Sequence, residues 1–67
     1  MLGERLKSLR ESRSITQEQL AKLVGLSQQS IDHYENGRAN PSIETLKKLV
    51  EIFNTTVDYL LGLTDNP

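Results

Sequence analysis

The chain's 67 residues carry eight basic and nine acidic side chains, one His and no Cys. They leave room for one small domain, exclude disulfides, thiolate chemistry and Cys-ligated zinc, and offer too few soft ligands for a transition metal. No apolar run approaches the roughly 20 residues that span a bilayer, and Met-Leu-Gly-Glu-Arg does not open a signal peptide, so a cytoplasmic chain with no metal, cofactor or membrane partner is expected.

Eleven Leu, four Ile and three Val against a single Phe favour helices, because Leu loses little rotamer freedom in one. Leu2, Leu6 and Leu9 recur at i, i+4 and i+7 and predict a first helix from residue 2 to about 13. Thr16 with Gln19 three residues on forms a capping box, Ile15 can staple onto Leu20, and Glu18 suits the positive helix end; a second helix starts there. It stops at Gly25, a residue able to take the left-handed terminating conformation. Ser27 caps a third helix, with Leu26 placed to staple onto Ile31, and Asn36-Gly37 ends it. Arg38-Ala39-Asn40-Pro41 is a loop, since Pro41 disfavours helix at the residue before it. Ser42 caps a fourth helix with Ile43, Leu46, Leu49, Val50 and Phe53 assigned to one face. Thr56, or Thr55, caps a last short helix through Val57, Leu60 and Leu61, closed by Gly62; Thr64–Pro67 reads as a linker or frayed end. No strand signal competes, so the expected fold is all-α, a five-helix domain over residues 1–63 with a tail over 64–67.

The segment from Gln17 to Asn36, QEQLAKLVGLSQQSIDHYEN, places Leu20, Val24, Leu26, Ile31 and Tyr34 at apolar positions. Ala21 is the small residue where two helices approach closely, and Gly25 supplies the sharp turn between them. This is the helix-turn-helix pattern, over about residues 16–36, in which the second helix is offered to the major groove of DNA. If Ile31 and Tyr34 pack inward, the helical period turns Gln29, Asp32, His33 and Asn36 outward, with Gln28 at the end that enters the groove first. A Gln amide can pair bidentately with adenine, so Gln28 and Gln29 point to an A·T pair in the half-site. Asp32 on that side repels phosphate unless it accepts from cytosine N4; the plainer reading is a solvated carboxylate. The charge balance gives no help: residues 1–38 sum to +1 and residues 39–67 to −2.

With RLKSLRE, ITQEQLAKLVGLSQQSIDHYENG, NPSIETLKKLVEIFN and VDYLLG in place, the chain resembles the lambdoid phage repressor and Cro family of DNA-binding domains across residues 2–62. The resemblance implies a compact lambda-repressor-like five-helix bundle that binds operator DNA as a symmetric dimer. It implies base reading by Gln28, Gln29 and His33, and phosphate contacts by Gln17, Asn36 and Arg38, extended more weakly to Asn40 and Ser42. It also implies an ion pair between Arg10 and Glu35 that ties the first helix to the end of the third. Such phosphate contacts set register without reading sequence, and amides and helix ends make them without a basic chain. The expected function is a sequence-specific transcriptional regulator, a repressor above all, reading a palindromic operator. The isolated chain should dimerise only weakly through Val57, Tyr59, Leu61 and Leu63. An antitoxin, a restriction–modification controller and a protein-interaction module without DNA binding are the alternatives. No acid–base pair or nucleophile–base arrangement supports an enzyme.

Overall fold

Five helices follow one another in the computed structural model, which describes residues 2–67: α1 Leu2–Ser12, α2 Gln17–Val24, α3 Gln28–Glu35, α4 Ile43–Phe53 and α5 Val57–Leu60. No strand is present among the described residues. Each of the last four starts on a hydroxyl cap. Thr16, Ser27, Ser42 and Thr56 accept from the backbone N–H three residues on, which satisfies a donor that the helix itself leaves orphaned. At Thr16 the capping box is complete, since the Gln19 amide oxygen accepts in return from the Thr16 N–H at 2.9 Å.

All five helices end on the same device. A left-handed residue stands one or two places past the last helical residue: Ser14, Gly25, Gly37, Asn54 and Gly62, with φ between 50° and 78°. In each case the next N–H reaches back to the carbonyl five residues earlier, as in Ile15 to Arg10, Leu26 to Ala21 and Arg38 to His33. Thr55 to Val50 and Leu63 to Asp58 complete the set of Schellman closures.

The helices meet around Leu6, Leu20, Ala21, Val24, Ile31, Leu49, Phe53 and Leu60, each of them 3% exposed or less, so every helix contributes to one core. Ile15 and Leu26, the expected staples, are half-buried against it, as is Tyr34. Along α4 the buried row is Thr45, Leu49 and Phe53, flanked by the half-buried Leu46, Val50 and Ile52. Ile43, expected on this face, is 73% exposed. At about 100° per residue it lies some 120° round the helix from Leu49 and in line with the half-buried Val50, so it sits at the edge of the stripe, in the first turn, and not on the buried row. Ile52 was not expected in the core and takes part in it.

Two arginines tie the N-terminal region to the C-terminal half of the chain. Arg5 of α1 donates to the Tyr59 and Thr64 carbonyls and to the Asp65 carboxylate, and its guanidinium stacks 4.2 Å from the Tyr59 ring centroid. Arg13 donates to the Phe53 carbonyl at 2.8 Å. The residues read as a linker or frayed end are therefore tied to the first helix through Arg5.

Candidate nucleic-acid interface

The α2–α3 pair is built on a three-residue connection, Gly25-Leu26-Ser27, whose sharp reversal uses the left-handed Gly25. Ala21 is 3% exposed and Ile31 fully buried, so α3 is fixed to α2 by its inner side. The opposite side of α3 carries the expected readers. Gln28 and Gln29 are exposed in its first turn, and His33, one turn beyond Gln29, is half-buried. Asn36, Arg38 and Asn40 are exposed along the segment that follows. Arg38 takes part in none of the three ion pairs found among the described residues. Ser42 is also exposed, but its hydroxyl is occupied at the cap of α4, where it accepts from the Thr45 N–H and donates to the Thr45 hydroxyl.

Behind this surface lies a polar network that joins three helices. Arg10 grips the Glu35 carboxylate with two hydrogen bonds, Nε to Oε2 at 2.7 Å and Nη2 to Oε1 at 3.1 Å. A third bond, from Arg10 Nη1 to the Ile15 carbonyl, holds the α1–α2 turn. The two side chains are 11% and 3% exposed, so the pair is largely withdrawn from water. The hydrogen bond to Glu35 raises the Arg10 pKa above its ordinary value; burial opposes that, and the charges of Glu35 and Glu11 add to it. Arg10 is therefore held in its charged form.

Gln17 extends the network. Its amide nitrogen donates to Glu35 Oε1 at 3.1 Å and to Asp32 Oδ1 at 3.2 Å. An amide carries only two N–H groups, so both are spent within the protein. The donors left at this helix end for the expected phosphate contact are the backbone N–H groups at the start of α2, where the helix dipole also favours an anion. Asp32 is likewise not the freely solvated carboxylate of the plainer reading. It is half-buried and accepts from Gln17.

Gly3 was missed as a positioning residue. A Cβ placed there would lie 2.4 Å from the Glu35 carbonyl oxygen and 2.8 Å from that of Tyr34. The start of α1 therefore touches the end of α3 backbone to backbone. A glycine inside a helical Leu repeat is the one signal that pointed to it.

The helix-turn-helix family model matches residues 6–60, which is most of the chain. The protein belongs to the helix-turn-helix family. It is 39% identical over all 67 residues to the uncharacterized HTH-type transcriptional regulator YobD of Bacillus subtilis (strain 168), and spans 60% of that protein's length. Its fold superposes on the P22 c2 repressor, solved in complex with synthetic operator 9T, with a TM-score of 0.86 and 33% identity over 90% of this chain and 91% of that one. The biofilm regulator SinR, solved in complex with DNA, gives a TM-score of 0.81 and 29% identity over 91% of this chain and 98% of that one. The expected lambda-repressor-like bundle is thus the observed fold, and the family is one of transcriptional regulators.

Proposed function

We propose that this helix-turn-helix domain is a sequence-specific, double-stranded-DNA-binding transcriptional regulator of the repressor type, acting in the cytoplasm as a dimer on a palindromic operator. The observation that carries the reading is the outer side of α3. Gln28 and Gln29 stand exposed at its N-terminal end, on a scaffold that superposes on a repressor solved with its operator. In the major groove each amide can donate to and accept from one adenine edge, and His33, one turn on, reaches a guanine edge or a phosphate. Asn36, Arg38, Asn40 and the start of α2 at Gln17 hold the sugar–phosphate backbone on either side. Arg10 and Glu35 fix the angle at which α3 is presented. The DNA-binding unit spans residues 1–63, with 64–67 as its tail.

Dimerisation uses the outer surface of α5 and the residues just after it, where Leu61 is 40% and Leu63 73% exposed beside the half-buried Val57. Tyr59 contributes little, because Arg5 covers its ring. Such a patch falls well short of the ~1,600 Å² of a standard interface, so the free protein is mainly monomeric and pairs on DNA.

Selection of bound duplexes from a random pool tests the proposal. The enriched sequence should be an imperfect palindrome with half-site centres about 10–10.5 base pairs apart. Enrichment of a motif without two-fold symmetry would overturn the dimer, and no enrichment at all would overturn sequence-specific binding.

A further inference from the structure

Asp32 is the one charge on the outer side of α3 between Gln28 and Asn36, and it stacks with both at i, i+4 spacing. Its situation differs from that of its neighbour in the network. Glu35 is balanced by the bidentate guanidinium of Arg10. The ion pairs among the described residues are Arg5–Asp65, Arg10–Glu35 and Lys22–Glu18, and none includes Asp32. Its carboxylate meets only the neutral amide of Gln17, which holds one oxygen in place without cancelling its charge. A fixed, half-buried negative charge is thus left on the side of the helix that faces the duplex.

We propose that Asp32 is a specificity-determining residue that disfavours DNA in general and is offset only by a base amino group, cytosine N4 above all. The proposal rests on the DNA-reading surface described above. Any duplex brings a dense array of phosphate charge towards this face, so the carboxylate weakens binding whatever the sequence. In the major groove the exocyclic amino group of cytosine is a donor that an Asp side chain accepts from. Where that group stands opposite Asp32, a hydrogen bond to an ionised acceptor replaces an unmatched charge. Elsewhere the penalty remains. Discrimination then comes from weakening the wrong complexes as much as from strengthening the right one. Gln17 is the positioning residue for this device, since its amide fixes which way the carboxylate points.

The test compares Asp32→Asn, Asp32→Ala and Asp32→Glu with the wild type. Fluorescence anisotropy is read on a mixed-sequence duplex and on the duplex that the wild type selects from a random pool. Asp32→Asn keeps the shape and an acceptor for Gln17 while deleting the charge, and Asp32→Ala deletes charge and acceptor together. Both should bind the mixed duplex about three- to tenfold more tightly, with a smaller gain on the selected one. A cytosine enriched by the wild type at one position of each half-site should lose its enrichment with both variants, while the other positions keep theirs. Asp32→Glu, which retains the charge, should bind the mixed duplex as weakly as the wild type. Unchanged mixed-duplex affinity and an unchanged motif in Asp32→Asn would overturn the role of Asp32 alone. A wild type that selects no motif would instead overturn the DNA reading beneath it.

Discussion

Replacing Gly3 by Ala sets two effects of opposite sign against each other. Ala is preferred to Gly by about 0.8–1.0 kcal/mol in a helix interior, an upper bound for Gly3 in the first turn of α1, so propensity alone predicts a more stable protein. The packing predicts the reverse. The new methyl would sit 2.4 Å from the Glu35 carbonyl oxygen, and real Cβ atoms essentially never come closer than 3.0 Å, with ordinary contact beginning at 3.4 Å. The start of α1 must therefore back away from the end of α3 by about 0.6 to 1 Å, and the neighbour is main chain, which cannot swing aside as a side chain would. Overpacking of this kind costs about 1–3 kcal/mol. A domain of this size has only several kcal/mol in hand, at roughly 0.05–0.15 kcal/mol per residue. Subtracting the propensity gain leaves a net loss of up to about 2 kcal/mol. With each kcal/mol shifting the midpoint by about 4–8 °C, circular-dichroism melting should show a fall of up to about 16 °C. Ser8→Ala, on the exposed side of the same helix, serves as the control and should be neutral or slightly stabilising. A midpoint for Gly3→Ala above the wild-type value, as propensity alone predicts, would refute the close backbone contact.

Arg10→Met leaves the Glu35 carboxylate buried without its cation and should cost about 3–5 kcal/mol in denaturant titration, much of it recovered in the double variant Arg10→Met/Glu35→Leu. The raised Arg10 pKa means that the pair's contribution is fully present below the unfolded-state pKa and is lost only as pH rises through the folded-state one. Removal of Arg10 should therefore lower the melting midpoint by the same amount at neutral and at mildly alkaline pH. Ser14→Gly relieves a left-handed backbone at φ 56° that costs an L residue about 1–2 kcal/mol, against the extra chain entropy of glycine; a net gain of about 0.5–1 kcal/mol should appear in thermal melts. Gln29→Ala should lose about 1–3 kcal/mol of discrimination at one base pair while mixed-sequence binding survives. Arg38→Ala should instead weaken all duplexes about equally and lower the salt slope by about 1, both read by anisotropy across a salt series.

How far the fold could be read in advance depended on whether a structural need had a residue type to mark it. Thr16, Ser27, Ser42 and Thr56 were legible as helix starts because a short hydroxyl is what an orphan N–H requires. Gly25, Gly37 and Gly62 were legible as stops for a similar reason. Ser14 and Asn54 make the same left-handed stop without glycine; Asn54 belongs to a type that tolerates this conformation, whereas nothing in the type of Ser14 sets it apart from other surface polar residues. Ile43 was misplaced because an apolar residue near a helix start fits a broad stripe, while the depth of the stripe is decided by the helices packed against it. Among the site residues, the outward positions of Gln28 and Gln29 followed from helical periodicity. The Arg10–Glu35 pairing followed only from family resemblance, since its partners lie 25 residues apart. The capture of Gln17 by two carboxylates was beyond reach, because it depends on the angle between α2 and α3 and not on any spacing along the chain.

The shared manner in which the helices end also bears on how the chain reaches this structure. Each closure is made within six consecutive residues, so all five reversals can form before any distant part of the chain is in place. Contacts near in sequence form quickly, whereas those that close a long loop carry its entropy and come late. Here the long loop is the one between Arg5 and the Tyr59–Asp65 segment, 54 to 60 residues apart. Folding should thus run from locally formed turns through the α2–α3 pair to a final fastening of the two chain ends. The same order read backwards makes that fastening the first to open in the native protein, so the amides of α5 should exchange with solvent well before those of α2.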